Sequence, residues 1–183
     1  VGFKNNTHGD IRAAIEAIQT AQQSHHFLNS NARGEMAITH SAGNPDCHVV
    51  LRGSHQQSNY DHSTIQQTIA ILKTLQLTPR VMIDCSHGNS QKNHTQQMTA
   101  LESVANSIAQ TPQDIFGVML ESHLVAGKQT WAPNKPLRYG QSITDACIGW
   151  EETEIALERL HEVMQNVLTD NTRTPHVNFA KSF

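Results

Sequence analysis

Short apolar runs alternate along the chain with longer segments in which apolar residues recur at every third or fourth position. The runs are typical of buried strands and lie at about residues 1–5, 47–51, 81–83 and 115–120. The periodic segments predict amphipathic helices that begin near Ile11, near Asp61, near Ser90 and after Trp150. Strands that alternate with helices in this way predict an α/β fold built from parallel βα units.

Two segments interrupt the alternation. Phe27-Leu28 and Met36-Ala-Ile38 flank a turn rich in Asn and Gly, which predicts an inserted β-hairpin at about residues 25–40. Residues 125–144 contain Gly and Pro, and we interpret them as one long loop that leads to the final helix.

The two ends of the chain set the predicted domain bounds. Val1 is not an initiator Met and lies within a predicted strand, so we expect the 183 residues to be the C-terminal part of a longer polypeptide. The tail at 169–183 is polar and shows no periodicity. We therefore predict one domain at 1–168, followed by a polar C-terminal extension.

The number of strands limits the possible architectures. A closed (β/α)₈ barrel has eight strands in typically about 250 residues, whereas this pattern supplies four. The predicted fold class is therefore α/β, as half of a (β/α)₈ barrel with an inserted hairpin. An open, doubly wound sheet is the structural alternative. Because exposed sheet edges favour aggregation, a half-barrel needs its missing strands from the rest of the polypeptide or from another chain.

Composition excludes several classes of partner. The net charge of −3 gives no electrostatic basis for binding nucleic acid or an anionic membrane surface. No apolar run approaches the roughly 18 residues of a spanning helix, so we expect a soluble, cytoplasmic protein. The three cysteines are widely spaced and form no CxxC pair, which argues against a disulfide framework.

Each of the four predicted strands ends in a residue with useful chemistry. These residues are Lys4, Arg52, His87 and Glu121, and in parallel units all four would face the same carboxyl edge. Lys4 and Arg52 suit a phosphate or carboxylate, whereas His87 and Glu121 suit a divalent metal such as Zn²⁺, Mn²⁺ or Fe²⁺. Asp145 either adds a second carboxylate or caps the final helix. The structural alternative is a ring of salt bridges at the barrel top.

Five ordered motifs carry a resemblance to a known family. They are Gly2-Phe-Lys-Asn5, His48-Val-Val-Leu-Arg-Gly53, Ile83-Asp-Cys-Ser-His-Gly-Asn-Ser-Gln-Lys92, Gly117-Val-Met-Leu-Glu-Ser-His123 and Tyr139-Gly-Gln-Ser-Ile-Thr-Asp-Ala-Cys-Ile-Gly-Trp-Glu151. In this order they resemble the C-terminal half of class I (type Iα) 3-deoxy-D-arabino-heptulosonate 7-phosphate (DAHP) synthases over about residues 1–168. The resemblance implies the fifth to eighth units of a (β/α)₈ barrel. It also implies condensation of phosphoenolpyruvate with erythrose 4-phosphate, the reaction that opens the shikimate pathway.

The resemblance also assigns roles to individual residues. His87, Glu121 and Asp145 match metal-ligand positions, and Lys4, Arg52 and His87 match positions that hold phosphoenolpyruvate. His87, Asp145 and Lys4 are the implied catalytic residues, with Asp145 also a hydrogen-bond partner for the second substrate. The implied cofactor is a divalent metal ion, with Mn²⁺ favoured and Fe²⁺, Co²⁺ or Zn²⁺ as alternatives.

Regulation by an aromatic amino acid is a further implication. Phe27 and Asn29 match positions at the inhibitor site of the family, which the inserted hairpin helps to form. A plain structural hairpin is the alternative, above all for Asn29. The full-length protein is expected to be a homodimer or homotetramer.

The chain also departs from the family pattern. The fourth family ligand is a cysteine on the first strand of the barrel, and none of Cys47, Cys85 and Cys147 matches it. We therefore expect weaker metal binding and incomplete activity in the isolated chain. Two alternatives to a DAHP synthase are a non-catalytic half-barrel that binds anions or self-associates, and an enzyme like 3-deoxy-D-manno-octulosonate 8-phosphate synthase.

Overall fold

The structure is a computed structural model that describes the backbone of residues 1–173 and the side chains of residues 1–169. In chain order the elements are β1 (Gly2–Lys4), α1 (Arg12–Ala21), β2 (His25–Ser30), β3 (Met36–Ser41), β4 (His48–Leu51), α2 (His62–Thr74), β5 (Val81–Asp84), α3 (Gln96–Gln110), β6 (Ile115–Met119), β7 (Val125–Lys128), β8 (Gln141–Ser142) and α4 (Trp150–Arg173).

A four-stranded parallel sheet forms the centre of the molecule. Its strand order is β1-β4-β5-β6, so each successive βα unit adds its strand to the same edge. The strands are short and rich in Val and Ile, whose branched side chains favour a pleated, buried surface. The four strands and the four helices agree with the elements that the sequence pattern predicts.

The four helices cover one face of this sheet. Alternate strand residues, among them Val49, Leu51, Val81 and Ile83, are buried beneath α1, α2, α3 and α4 in one apolar cluster. Burying a side chain of this size contributes about 1.5–3 kcal/mol, which is why the strands and helices hold together. The opposite face carries His48, whose ring meets Phe116 edge-on with 4.5 Å between the ring centroids.

Two pairs of short strands lie outside the central sheet. β2 and β3 pair in antiparallel register, with Leu28 opposite Ile38, in the segment for which the sequence predicts a hairpin. β7 and β8 pair with each other in the segment interpreted as one long loop, so that interpretation was wrong. These strands have only four and two residues, which is too short to produce a period-two pattern in the sequence.

Two helix bounds also differ from the prediction. α3 begins at Gln96 rather than near Ser90, because the chain between them turns through Gln91 and Lys92 at φ values of 51° and 59°. α4 continues five residues beyond the predicted boundary at 168, and the part of the extension at 174–183 lies outside the described residues. Over residues 1–173, none of the helices has the length and hydropathy needed to cross a membrane.

The loops that follow β4 and β5 interlock through two glycines. Gly53 has φ 73°, and a Cβ placed on it would lie 2.5 Å from the backbone nitrogen of Asn89. A Cβ on Gly88 would lie 2.6 Å from the backbone nitrogen of Ser54. Both loops can approach this closely only because these two positions carry no side chain.

Gly53→Ala is expected to destabilise the fold more than Gly34→Ala. Both glycines have positive φ, and this conformation costs a residue with a Cβ about 1–2 kcal/mol. A Cβ on Gly34 meets nothing within 4 Å, whereas on Gly53 it meets backbone atoms. Urea unfolding of the two variants measures the difference in the free energy of unfolding. Equal losses in the free energy of unfolding would show that the close contact between the loops after β4 and β5 does not contribute to stability.

Candidate metal and anion site

Two buried asparagines bind the ends of the central strands together. Asn5, just after β1, accepts a hydrogen bond from the backbone of Arg52 (2.8 Å) and donates one to the carbonyl of Gly53 (3.0 Å). Asn89 donates to the carbonyls of Leu51 (3.1 Å) and Asp84 (2.8 Å). Because strand ends otherwise leave backbone groups without partners, these side chains fix the carboxyl edge of the sheet as one unit.

Asp84, the last residue of β5, is the centre of the site. Its side chain is inaccessible to solvent, yet it accepts hydrogen bonds at both oxygens. Oδ1 accepts from the backbone and hydroxyl of Ser86, at 2.9 and 2.5 Å. Oδ2 lies 2.8 Å from Lys4 Nζ and 2.8 Å from His87 Nδ1. One carboxylate therefore orients both a cation and an imidazole of the predicted site.

These contacts keep Asp84 ionised. Burial by itself raises the pKa of Asp84, but the hydrogen bonds from Lys4 and Ser86 and the nearby His87 outweigh it. The pKa of the carboxyl group consequently lies below its ordinary value.

The ionised Asp84 determines which nitrogen of His87 is free. His87 Nδ1 lies 2.8 Å from Oδ2 of Asp84 and 2.7 Å from the hydroxyl oxygen of Ser86, whose proton is donated to Oδ1 of Asp84. Both neighbours can only accept from the ring, so in the neutral imidazole Nδ1 carries the proton. Nε2 then keeps its lone pair, and it lies 3.4 Å from Oε1 of Glu121. Histidines that bind metals are commonly held by a carboxylate at the other ring nitrogen in this way. His87 also has φ 51°, a backbone conformation that is costly outside glycine and that collects at functional sites.

Glu121 follows β6 and is held by α3. The fully buried side-chain amide of Gln97 accepts a hydrogen bond from the backbone nitrogen of Glu121 (2.8 Å) and donates one to its carbonyl (3.1 Å). With the backbone fixed on both sides, the carboxylate of Glu121 projects toward His87.

The chain returns to this edge immediately before α4. The backbone nitrogen of Ile148 donates to the carbonyl of Glu121 (2.9 Å), and Ile148 is fully buried. This anchor brings Asp145, three residues earlier, to the same place. One ligand atom each from His87, Glu121 and Asp145 lies within 4.8 Å of the others.

The three donors suit a divalent metal ion. Imidazole nitrogen and carboxylate oxygens are common ligands of Zn²⁺, Mn²⁺ and Fe²⁺. Burial raises the pKa of Glu121, and the neighbouring Asp145 and Asp84 raise it further, although His87 and Lys4 oppose the shift. Bringing these acidic groups together is unfavourable without a cation, and a bound cation would reverse that cost.

A cleft of about 320 Å³ opens beside the triad, between the loops that follow β4 and β5. Its lining residues are Thr7, Arg52, Gly53, Ser54, His55, His87, Gly88, Gln91 and Lys92. Arg52 and Lys92 are cations, and none of the nine residues is acidic. The cleft therefore offers room and charge for an anion next to the triad.

The structure brings most of the predicted site residues together. His87, Glu121 and Asp145 form the triad, Lys4 joins it through Asp84, and Arg52 lines the adjoining cleft. Among residues 1–169 no carboxylate pairs with Arg52, so the strand-end groups do not close a ring of salt bridges. α4 begins at Trp150, and in the part of the chain that the structure describes the carboxylate of Asp145 makes no hydrogen bond to its first turn, where Glu152 instead accepts from the backbone of Gly149.

The hairpin residues and the cysteines occupy other positions. Phe27 and Asn29 lie on one face of β2, and Phe27 is 46% exposed. None of the cysteines contributes to the triad. Cys47 and Cys85 are buried, and burial raises the pKa of Cys85 to about 12.

Sequence reasoning missed the residues that support the site. Asp84, Asn5, Asn89 and Gln97 contact the ends of the strands, but none of them is among the predicted site residues. Three of them follow or end a predicted strand, which is the signal that could have identified them. Gln97 lies within a helix and carries no such signal.

A parallel α/β sheet with ligating and cationic groups at its carboxyl edge defines a class of proteins that bind ligands there. The chain belongs to the DAHP synthetase I family, whose sequence model matches residues 1–158. It is 44% identical over 164 residues to a phospho-2-dehydro-3-deoxyheptonate aldolase of Haemophilus influenzae, covering 90% of this chain and 45% of that protein. It is 46% identical over 160 residues to the Phe-sensitive aldolase of Escherichia coli K12, covering 87% of this chain and 45% of the relative.

A solved structure has the same fold. The chain superposes on phospho-2-dehydro-3-deoxyheptonate aldolase from Francisella tularensis SCHU S4 with a TM-score of 0.85 and 46% identity. The match covers 90% of this chain and 48% of that one. The chain thus spans about half the length of these relatives.

Asp84→Asn is expected to weaken Mn²⁺ binding by roughly 10- to 100-fold, the usual cost of losing a partner of a metal-binding histidine. The neutral amide no longer balances the charge of Lys4 or attracts the N–H of His87, so the ring loses its fixed tautomer. Calorimetric titration with Mn²⁺ measures the change. Asp114→Asn is the control, because Asp114 is also buried but precedes β6 and bonds to Gln66. Unchanged Mn²⁺ affinity in Asp84→Asn would show that Asp84 does not orient His87 for metal binding.

Proposed function

We propose that the chain is the C-terminal half of a DAHP synthase barrel. The reaction joins phosphoenolpyruvate to erythrose 4-phosphate and releases phosphate, as the first step of the shikimate pathway. The convergence of His87, Glu121 and Asp145 within 4.8 Å beside a cationic cleft carries the proposal. Membership of the DAHP synthetase I family and the names of the relatives support it.

His87, Glu121 and Asp145 would hold a divalent metal ion, for which Mn²⁺ is our first choice. When bound, the ion supplies Lewis-acid polarisation of the aldehyde of erythrose 4-phosphate. His87 is suited to this role because Asp84 directs the free lone pair of Nε2 toward Glu121. Asp145 is exposed, which leaves its carboxylate accessible to a hydroxyl group of the second substrate.

Arg52 and Lys4 would hold phosphoenolpyruvate. Arg52 presents a planar fork that matches a phosphate or carboxylate, and Lys4 adds a point charge. Two anionic substrates repel each other, so cations at this position reduce the cost of bringing them together. The side chain of Asn5 accepts a hydrogen bond from the backbone nitrogen of Arg52. This bond fixes the backbone from which the guanidinium projects, and so helps to orient the substrate.

Full activity would require the strands that complete the barrel. β1 and β6 are the edges of the four-stranded sheet, and a closed barrel has eight strands. In a completed barrel the other half would also add the cysteine ligand that the resemblance implies. The intact mass of the source protein tests this point, since a longer polypeptide should have about twice the mass of this chain, in line with the length of its relatives.

Loss of phosphoenolpyruvate absorbance, with erythrose 4-phosphate and Mn²⁺ present, tests the activity of the complete protein. His87→Ala is expected to lower Mn²⁺ affinity and rate together, by more than the roughly 10- to 100-fold that loss of an outer partner costs. His161→Ala, on the exposed surface of α4, is the matched control and should retain both properties.

Two results would contradict the proposal. No turnover by a protein that contains both barrel halves and bound Mn²⁺ would refute the activity. Normal metal content and rate in His87→Ala would refute the role of this residue. Arabinose 5-phosphate in place of erythrose 4-phosphate tests for the activity of a 3-deoxy-D-manno-octulosonate 8-phosphate synthase. We expect no product from arabinose 5-phosphate.

We also propose that the β2–β3 hairpin contributes to an aromatic-amino-acid site. Relatives of this chain are named as Phe-sensitive, Trp-sensitive and Tyr-sensitive enzymes. Phe27 and Asn29 point to the same side of β2, because alternate strand residues share a face. Phe27 is also partly exposed, which leaves its ring available for contact with an aromatic ligand.

Phe27→Ala is expected to raise the concentration of Phe, Tyr or Trp needed for half-inhibition without lowering the uninhibited rate. The matched control is Leu28→Ala, which removes an exposed apolar side chain from the opposite face of the same strand. Dose–response curves with each amino acid provide the measurement. Equal inhibition of the wild type and Phe27→Ala would leave the hairpin with a structural role only.

A further inference from the structure

The β2–β3 hairpin carries a pair of histidines that the triad does not use. His26 on β2 lies directly opposite His40 on β3 in the antiparallel register. The centroids of the two imidazole rings are 4.4 Å apart, and the rings are tilted by 36° to each other. Residues directly opposite each other in an antiparallel pair share one face of the sheet. Both rings therefore lie side by side on the same face of the hairpin.

The nitrogens of these two rings are open to a ligand. His26 and His40 are both exposed, and within residues 1–169 neither ring makes a hydrogen bond or an ion pair. The preceding residue, His25, lies on the opposite face of β2, and its Nε2 is 2.8 Å from the carbonyl oxygen of Thr20. The local fold therefore occupies the ring of His25 but leaves the rings of His26 and His40 available.

The spacing of the rings suits two nitrogens that bind one metal ion. An imidazole nitrogen binds Zn²⁺ at about 2.0–2.1 Å, so two such nitrogens on the same ion are about 3 Å apart. The terminal torsion of a histidine is broad, which lets the rings of His26 and His40 turn their nitrogens together without a change in the backbone. The backbone itself is set in advance, because β2 and β3 pair continuously from His25–Ser41 to Ser30–Met36.

We propose that His26 and His40 together bind one divalent transition-metal ion on the surface of the hairpin. The ligand class is Ni²⁺, Cu²⁺ or Zn²⁺, which imidazole suits, and not Mg²⁺ or Ca²⁺, which prefer oxygen ligands. Among residues 1–169 no third histidine, cysteine or carboxylate lies close enough to join the pair, so water completes the coordination of the ion. The site is separate from the triad and does not depend on the proposed function.

An ion at this position joins the two strands of the hairpin. One ligand comes from β2 and the other from β3, and the two are held together only in the folded hairpin. A ligand that binds the folded form in preference to the unfolded form stabilises it. Metal binding at His26 and His40 therefore resists local opening of the hairpin, including the part of β2 that carries Phe27.

Calorimetric titration with Ni²⁺ tests the pair in the complete protein that carries His87→Ala, a change that weakens the triad. In this parent, adding His26→Ala or His40→Ala is expected to raise the Kd for Ni²⁺ roughly 100-fold, because the second of two linked ligands binds as an intramolecular one. His26→Phe should lose as much affinity, since it keeps an aromatic ring but has no ligand nitrogen. His25→Ala is the matched control on the opposite face of β2 and should leave the Kd unchanged.

Hydrogen exchange of the β2 and β3 amides provides a second measurement, in which Ni²⁺ should slow exchange in the parent but not with His40→Ala added. An unchanged Kd with His26→Ala or His40→Ala would overturn the proposal, and so would an equal loss with His25→Ala. Retained affinity with His26→Phe would overturn it too, because the ring contact and not a ligand nitrogen would then matter. None of these outcomes depends on synthase activity. Both positions are exposed, so the variants should fold, and their thermal midpoints without metal verify this.

Discussion

A single buried carboxylate, that of Asp84, determines how the side chains at the carboxyl edge of the central sheet are arranged. Asp84 contacts Lys4 and His87 through the same oxygen, at 2.8 Å from each. An ion inside a protein is tolerated only when donors surround it, since its desolvation costs several kcal/mol. Asp84 meets this condition with Lys4 and His87, which are also residues of the proposed site. Asp84 therefore positions both the side of the site that would receive an anion and the side that would receive a metal.

The parts of the fold that the sequence predicts are those governed by local periodicity and by the alternation of strands and helices. Val49, Leu51 and Ile83 carry enough apolar signal to mark buried strands, and parallel connection places the residues that follow them on one edge. That geometry alone brings His87 and Glu121 together. Arg52 reaches the same edge but lines a neighbouring cleft instead of joining the triad. This difference depends on how the loops after β4 and β5 pack against each other.

The remaining features depend on contacts between residues distant in sequence. Asn5 bonds to a loop almost fifty positions away, and Gln97 bonds to a strand end that follows its own helix. No period or motif in a single sequence encodes such a pair. The late start of α3 has a local cause instead, because the backbone nitrogen of Lys92 bonds to the carbonyl of His87 five positions earlier. This turn needs positive φ at Gln91 and Lys92, which is uncommon for residues other than glycine, so residue type did not indicate it.

The amide of Gln97 has a consequence for the edge of the sheet. Its oxygen and nitrogen bind the backbone of Glu121 with the two bonds that a neighbouring strand would supply. A side chain thus stands in for a missing strand at the position where β6 has ended. The carbonyl of Glu121 also accepts from Ile148, so its backbone is held from within the chain. The orientation of this carboxylate is therefore insulated from whichever strand lies against the free edge of β6.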